Sequence, residues 1–263
     1  MKCLQNRDGL KSVKRMVVKI GTKSLTTNGK LDVKKVSKLV NDVMEVRRLK
    51  REVLVVTSGA IGAGMGRLGI VSRPRKLSEL QAVAAVGQSL LMQTYERFFS
   101  RWKQPVAQML LSAEDFTNAA RYRNFKNTLS TLLRWGVVPI INENDTVATE
   151  EILVGDNDLL SAYVAKGAKA DLLVLLSDVD GVYVKRGRER RRLSLVERVT
   201  PQLERAAFRT SKKFGGMFTK IQAARMASEA GIAVVIAHSR RPHVLKSILK
   251  GEEVGTLFLP RVD

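Results

Sequence analysis

The sequence predicts an α/β layered fold with a largely parallel sheet of about eight strands. Three observations lead there. Short apolar runs, bounded by turn residues, recur through the whole chain. Segments with the 3.6-residue period of amphipathic helices separate them, so the connections are long enough for parallel crossovers. Clusters of Asn, Asp and Gly follow directly on several of the apolar runs, where open α/β sheets hold ligands.

The elements follow in order. Residues 1–15 form a basic, loose arm holding Cys3. Met16–Ile20 reads as the first strand, ended by the turn Gly21-Thr22-Lys23-Ser24. Lys19 is costly to bury inside it, so it either reaches the strand edge or meets an anion such as a phosphate. Val33, Val36, Val40 and Val43 mark a helix over 32–49 with Asp32 as N-cap. Glu52–Thr57 is a second strand, and with the first it makes a right-handed βαβ unit. The glycine-rich stretch 58–64 after it would let backbone amides approach an anion ahead of a helix. Residues 77–99 form a long helix, apolar on most faces, suited to burial or to a dimer or tetramer contact. Val106–Leu111 is a strand, 121–135 a helix and Val137–Ile141 a buried strand punctuated by Pro139.

That last strand runs into Asn142-Glu143-Asn144-Asp145, and a second polar knot, Gly155-Asp156-Asn157-Asp158, precedes a helix beginning at Leu159. Turn and cap chemistry accounts for one such cluster but not readily for two. Asp171–Asp178 reads as a fully buried strand with a polar end. Gly215-Gly216 opens a helix with Lys220 one turn in, which suits either a phosphate or a plain glycine turn. A strand at 233–237, a helix near 242–249 and a last strand at 255–259 complete the chain.

The net charge, 46 − 25 = +21, attracts polyanions or phosphorylated small molecules. Residues 185–213 hold eleven Lys/Arg against three Glu, read as a solvated hairpin or loop face. No aromatic residue is interleaved with the arginine run at 188–192, which argues against nucleic acid there. No apolar run is long enough to span a membrane. One cysteine excludes an internal disulfide and suggests the reducing cytoplasm. The only histidines, His238 and His243, follow a late strand away from the polar knots and read as structural. No zinc-ligand cluster, G-x-S-x-G elbow or Walker A motif occurs. Gly64-Met65-Gly66-Arg67-Leu68-Gly69 matches G-x-G-x-x-G but starts too far past its strand and lacks the acidic partner. Glycine turns, two well-placed lysines and several carboxylates remain, which are the parts of phosphoryl transfer.

Those residues also carry a resemblance. VVKIGT (17–22), VTSGAIGAG (56–64), AVGQ (85–88), INENDTVAT (141–149), VGDND (154–158), LLSDVDGVY (175–183), GGMFTK (215–220) and VGTLF (254–258) resemble, in this order, the glutamate 5-kinase branch of the amino acid kinase family. The resemblance implies a three-layer αβα sandwich in one domain over 16–263, its part from about 170 binding nucleotide and its earlier part glutamate. It implies ATP-dependent phosphorylation of the glutamate side-chain carboxylate, the first step of proline biosynthesis, with Mg²⁺ and with proline as a possible inhibitor. By motif, Lys19 and Lys220 would meet the phosphates, with Asp158 orienting them. Ser58, Gly59, Asn142, Asp145 and Asn157 would hold glutamate, with Asp156 beside them. Gly21, Ser177, Asp178 and the segment Phe214, Gly215, Gly216, Met217, Phe218, Thr219 would lie at the nucleotide.

Three departures from the family pattern stand out: Phe214 and Phe218 where small polar residues are usual, Lys23 in place of a small hydroxyl residue, and no C-terminal PUA domain after VGTLF. Competing readings are a kinase of the same family acting on acetylglutamate, uridylate or isopentenyl phosphate, an inactive relative, and a basic nucleic-acid-binding protein using 185–213.

Overall fold

The structure, a computed structural model, describes residues 4–147, 157–186, 189–210 and 216–261. The first half runs β1 (Arg15–Ile20), α1 (Thr22–Leu25), β2 (Thr26–Thr27), β3 (Lys30–Leu31), α2 (Val33–Arg48), β4 (Glu52–Val56), α3 (Ala60–Leu68), α4 (Leu77–Phe99), β5 (Val106–Leu111), α5 (Glu114–Thr117), α6 (Ala119–Arg134) and β6 (Val138–Glu143). The second runs α7 (Asp158–Gly167), β7 (Leu172–Ser177), β8 (Tyr183–Arg186), β9 (Glu189–Arg192), β10 (Leu195–Val196), α8 (Pro201–Thr210), α9 (Met217–Glu229), β11 (Ala233–His238), α10 (Val244–Leu249) and β12 (Thr256–Phe258).

Eight strands form the central sheet in the order β10-β12-β11-β7-β1-β4-β6-β5. Its pairings are parallel except β11 with β12. Alternation along the strands builds three layers. Met16, Val18 and Ile20 of β1 join one core with α2, α4 and α10. Val17 joins the other, with α6, α7, α8 and α9. Strand β7 is buried along its whole length, as a central parallel strand should be. Pro139 is tolerated inside the sheet because β4 pairs with β6 only at Ile140 and Ile141. From β1 the sheet grows through β4 on one side and β7 on the other, so the end of β1 is the topological switch point.

Several expectations need correction. The arm is not loose from residue 6 onward. Residues 7–12 form a 3₁₀ helix, Leu10 is fully buried, and the Arg7 guanidinium donates to the carbonyls of Ser194, Val254 and Gly255; Cys3 lies outside the described residues. In the stretch 58–64 the expected helix begins early, at Ala60, behind Gly59 at φ 106°. Gly64 of α3 and Gly87 of α4 also let these two helices touch. A Cβ on Gly64 would lie 1.9 Å from the Val83 carbonyl oxygen, and one on Gly87 1.8 Å from that of Ala60. Helix α4 buries Leu80, Val83, Leu91, Tyr95, Phe98 and Phe99 within the chain, which uses most of its apolar character. The basic segment does form a hairpin, β8 with β9, and the helix α8; it also carries one exposed ring, Phe208.

Five helix-to-strand connections reach the N-terminal edge of the sheet through a residue in the left-handed region. Two use glycine, Gly136 before β6 and Gly231 before β11. Three use lysine: Lys50 before β4 (φ 57°), Lys103 before β5 (φ 53°) and Lys169 before β7 (φ 49°). The turns are otherwise alike, each amide donating to the carbonyl three residues back at 2.9–3.1 Å. A side chain there costs about 1–2 kcal/mol relative to glycine. A cation near a helix C-terminus recovers only about 0.3–1 kcal/mol.

Candidate functional site

The switch point holds the residues expected to carry chemistry. Lys19 is the penultimate residue of β1 and lies 2% exposed on the face packed by α7 and α9. Asp158 is the first residue of α7 and is fully buried. Lys220 is in the first turn of α9 and is also buried. The Lys19 ammonium is 2.7 Å from Asp158 Oδ1, and that of Lys220 2.9 Å from Oδ2. The Thr219 hydroxyl donates to the same Oδ2 at 3.0 Å. Two cations thus share one carboxylate, and the triad by itself sums to +1. A Cβ on Gly21 would come within 3.7 Å of the Lys19 nitrogen, so glycine leaves that nitrogen open on this side.

Beside the triad is a polar cleft lined by Ser58, Gly59, Asn142, Asp145 and Asn157, together with Thr22, Arg73 and Glu143. A hydrogen-bonded row sets its floor. The Asn157 amide nitrogen donates to Asn142 Oδ1 at 2.7 Å, to Ser58 Oγ at 3.3 Å and to the Thr57 carbonyl. Asn142 in turn donates to Gln88 Oε1 at 2.8 Å. The Thr57 hydroxyl is 2.7 Å from the buried hydroxyl of Tyr95, whose pKa burial pushes up. Four separate elements therefore hold the cleft: β4, α4, β6 and α7.

Its two carboxyls are unlike Asp158. Burial pushes Asp145 up to about 6, with Arg73 opposing the rise. Burial, with the charge of Asp145 added, pushes Glu143 up to about 7. A cation brought between them would reverse both shifts.

Across the triad, Ser177 ends β7 and its hydroxyl donates to Asp178 Oδ1 at 3.1 Å. Burial acts to raise the pKa of Asp178, but bonds from Lys23 and Ser177 hold it below the usual range. Lys23, one of the departures, lies 3.1 Å from Asp178 Oδ2. Phe218 packs edge-on to Phe208 of α8 at 5.3 Å, in a surface groove between α8 and α9. Its ring is accounted for by that packing, while its neighbours Thr219 and Lys220 face Asp158. Gly216 has φ 82° and caps α9, which Met217 begins. Asp156, Phe214 and Gly215 lie outside the described residues.

The histidines are not both remote from the site. His243 Nδ1 is 2.6 Å from Glu45, on the α2 face. His238, however, lines a cavity of about 190 Å³ with Lys23 and Asp178. Arg73, Glu143 and Gln88 are site residues to which the sequence reading assigned no role. AVGQ was a resemblance block, so Gln88 had a signal; Arg73, in the loop 69–76, had none.

Buried lysines at a switch point, sharing a carboxylate beside a cleft of amides and acids, define a phosphotransferase-type α/β site. The chain belongs to the amino acid kinase family, whose model matches residues 14–238. A glutamate 5-kinase of Symbiobacterium thermophilum is 47% identical over 257 residues, 96% of this chain and 98% of that relative. One of Moorella thermoacetica is 49% identical over 261 residues, 97% of this chain and 69% of the relative. Among solved structures, carbamate kinase from Giardia lamblia bound to AMP-PNP superposes with TM-score 0.66 at 17% identity, covering 95% of this chain and 100% of that one. A UMP kinase from Bacillus anthracis gives 0.63 at 16% identity, covering 95% and 97%. At these identities the two structures bear on the fold alone.

Proposed function

We propose that this chain transfers the γ-phosphoryl group of ATP to the side-chain carboxylate of L-glutamate, giving L-glutamyl 5-phosphate and ADP, the first step of proline biosynthesis. The observation that carries the reading is the convergence of Lys19 and Lys220 on Asp158 beside the Ser58–Asn142–Asn157 row. The identity to glutamate 5-kinases, 47–49% over nearly the whole chain, selects the substrate.

The chemistry follows from charge. A glutamate side chain has a pKa near 4.3, so at pH 7 it is already a nucleophile and needs no general base. The obstacle is repulsion between that anion and a triphosphate. In this reading Lys19 and Lys220 move from sharing Asp158 to meeting the transferring phosphoryl group, while Asp158 keeps both in place. Gly21, Ser177, Asp178 and the segment from Gly216 to Lys220 serve the nucleotide. Ser58, the amide of Gly59, Asn142 and Asn157 orient glutamate, and Asp145 takes its ammonium. Mg²⁺, the usual companion of ATP, would neutralise phosphate charge. Both oxygens of Asp158 are committed to lysines, which fits an ion held mainly by phosphates and water. Proline, with an ammonium and a carboxylate of its own, would compete at the glutamate cleft.

No helix among the described residues is long and apolar enough to cross a membrane, and a cytoplasmic setting fits the cysteine count. The test is phosphoryl transfer with ATP and Mg²⁺ offered glutamate, N-acetylglutamate, UMP or isopentenyl phosphate, with and without proline. ADP release with glutamate alone supports the reading; preference for another acceptor removes it.

A further inference from the structure

The edge of the sheet opposite the site carries a charge pattern that the kinase reading does not use. The parallel strands β7, β1, β4, β6 and β5 all begin there. Their leading loops are knit together. Glu52 N–H donates to the Lys14 carbonyl, Asp171 N–H to that of Arg15 and Val138 N–H to that of Pro105. The Arg47 guanidinium bridges Gln104 and the Gly136 carbonyl.

This edge is cationic by placement. Lys50, Lys103 and Lys169 are exposed, and each holds the left-handed turn position that glycine fills before β6 and β11. Three separate helices thus end on a lysine where glycine is the easier residue, and all three deliver their charge to one edge. Lys14 and Arg134 are exposed there as well. Two acids of this edge are turned inward. Asp171 accepts the amides of Lys14 and Arg15, and Glu52 pairs with Arg15. Glu96 is exposed at the end of α4. The band stops at β11, where the turn is Gly231 and its helix ends in Glu229.

Both tryptophans of the chain lie on the same edge, Trp102 ending a 3₁₀ turn before β5 and Trp135 capping α6 before β6. Trp135 is 71% exposed, an unusual position for so large a ring. The Arg48 guanidinium lies 4.5 Å over the Trp102 ring, already stacked as a cation on an aromatic face.

Steering of glutamate or ATP does not explain the band. Strands of six residues put it about 20 Å from the site, and salt screens exposed charges beyond about 8 Å. Regularly placed cations with exposed rings match a flexible chain of phosphates and bases, which needs charge to follow its backbone and flat faces for its bases. We propose that this edge binds single-stranded nucleic acid, through Lys50, Lys103 and Lys169 to phosphates and Trp135 to a base. The β8–β9 hairpin and α8, which carry the other basic cluster, are not part of this surface.

The probe is a fluorescein-labelled 20-nucleotide oligouridylate, titrated with the whole chain by fluorescence anisotropy at 50 and 200 mM salt. Binding should weaken steeply with salt and quench tryptophan fluorescence, since both indoles are at the edge. K50G/K103G/K169G should bind at least about tenfold more weakly at 50 mM salt, with a log–log salt slope smaller by about 2 for three lost phosphate contacts. It should melt no lower than the parent, because glycine relieves three left-handed turns, and it should keep its phosphoryl-transfer rate. W135A should lose about fivefold or more with the salt slope unchanged. R190A/R191A on the hairpin should bind as the parent does. No binding at 50 mM salt, full binding by the triple variant, or an equal loss in the hairpin variant overturns the proposal. So does binding to phosphatidylserine vesicles without binding to the oligonucleotide.

Discussion

The two carboxylate-bearing halves of the cleft solve opposite problems. Asp158 is fully buried with an ammonium on each oxygen, so its charge is met before any ligand arrives. Burial pushes Asp145 up against the opposing charge of Arg73, and burial with the charge of Asp145 pushes Glu143 up. One half is preorganised and the other awaits a cation. A site that must hold a triphosphate and an amino acid together benefits from this split. In the proposed reading the lysine side meets phosphate, and an ammonium filling the acid side lowers both raised pKa values.

The largest test of that contrast is Lys19→Ala. Removing one cation from the triad should lower kcat by two or more orders of magnitude, roughly 3 kcal/mol of transition-state stabilisation. Near-normal turnover would remove Lys19 from the chemistry. Next is Asp158→Asn, which leaves two ammonium groups facing a neutral amide. It should lower kcat at least about tenfold and lower the melting temperature, because an unpaired buried charge is costly. A variant as stable and active as the parent would show that the lysines hold themselves in place.

Asp145→Ala should act on the other half, raising the KM for glutamate about tenfold or more while leaving the KM for ATP near normal, as loss of a charged hydrogen bond predicts. An unchanged KM for glutamate would count against the ammonium subsite. The pH dependence sharpens this further. Because Glu143 and Asp145 titrate at about 7 and about 6 in the free protein, kcat/KM for glutamate should fall as pH drops from 8 to 5. Glu143→Gln should shift that acid limb to lower pH; an identical limb would assign it to another group.

The smallest effect is on stability. A carboxyl whose pKa is raised by folding favours the fold when protonated, and that contribution is lost as pH rises from the ordinary value through the raised one. Glu143→Gln should therefore melt higher than the parent at pH 8 and show little difference at pH 4. The reverse order would mean that Glu143 is ionised and paired in the free protein.

Much of this was legible in the residues themselves. The strands at 16–20, 52–57, 106–111 and 171–178 and the helices at 32–49 and 77–99 fall within a residue or two of where periodicity puts them. Asp32 caps α2 by accepting from Lys34 and Lys35, as a residue of its type should. The stretch 58–64 was only partly legible, because glycine permits both backbone approach to an anion and a tight helix contact. Only the tertiary structure shows that Gly64 serves the contact with α4, a Cβ there falling 1.9 Å from the Val83 carbonyl oxygen.

Local sequence thus determined the layers, because burial on a sheet face or a helix stripe repeats every two or 3.6 residues and can be read from a short window. It also marked the polar knots. The tertiary structure decided which of those groups meet. Residues 19, 158 and 220 share two bonds' length of space only because three crossovers return their elements to one strand end. Arg73 enters the cleft from a loop with no motif. Three turn lysines become one band because parallel strands start on a common edge. Charge acts through space, and distance in space is what the order of residues alone leaves open.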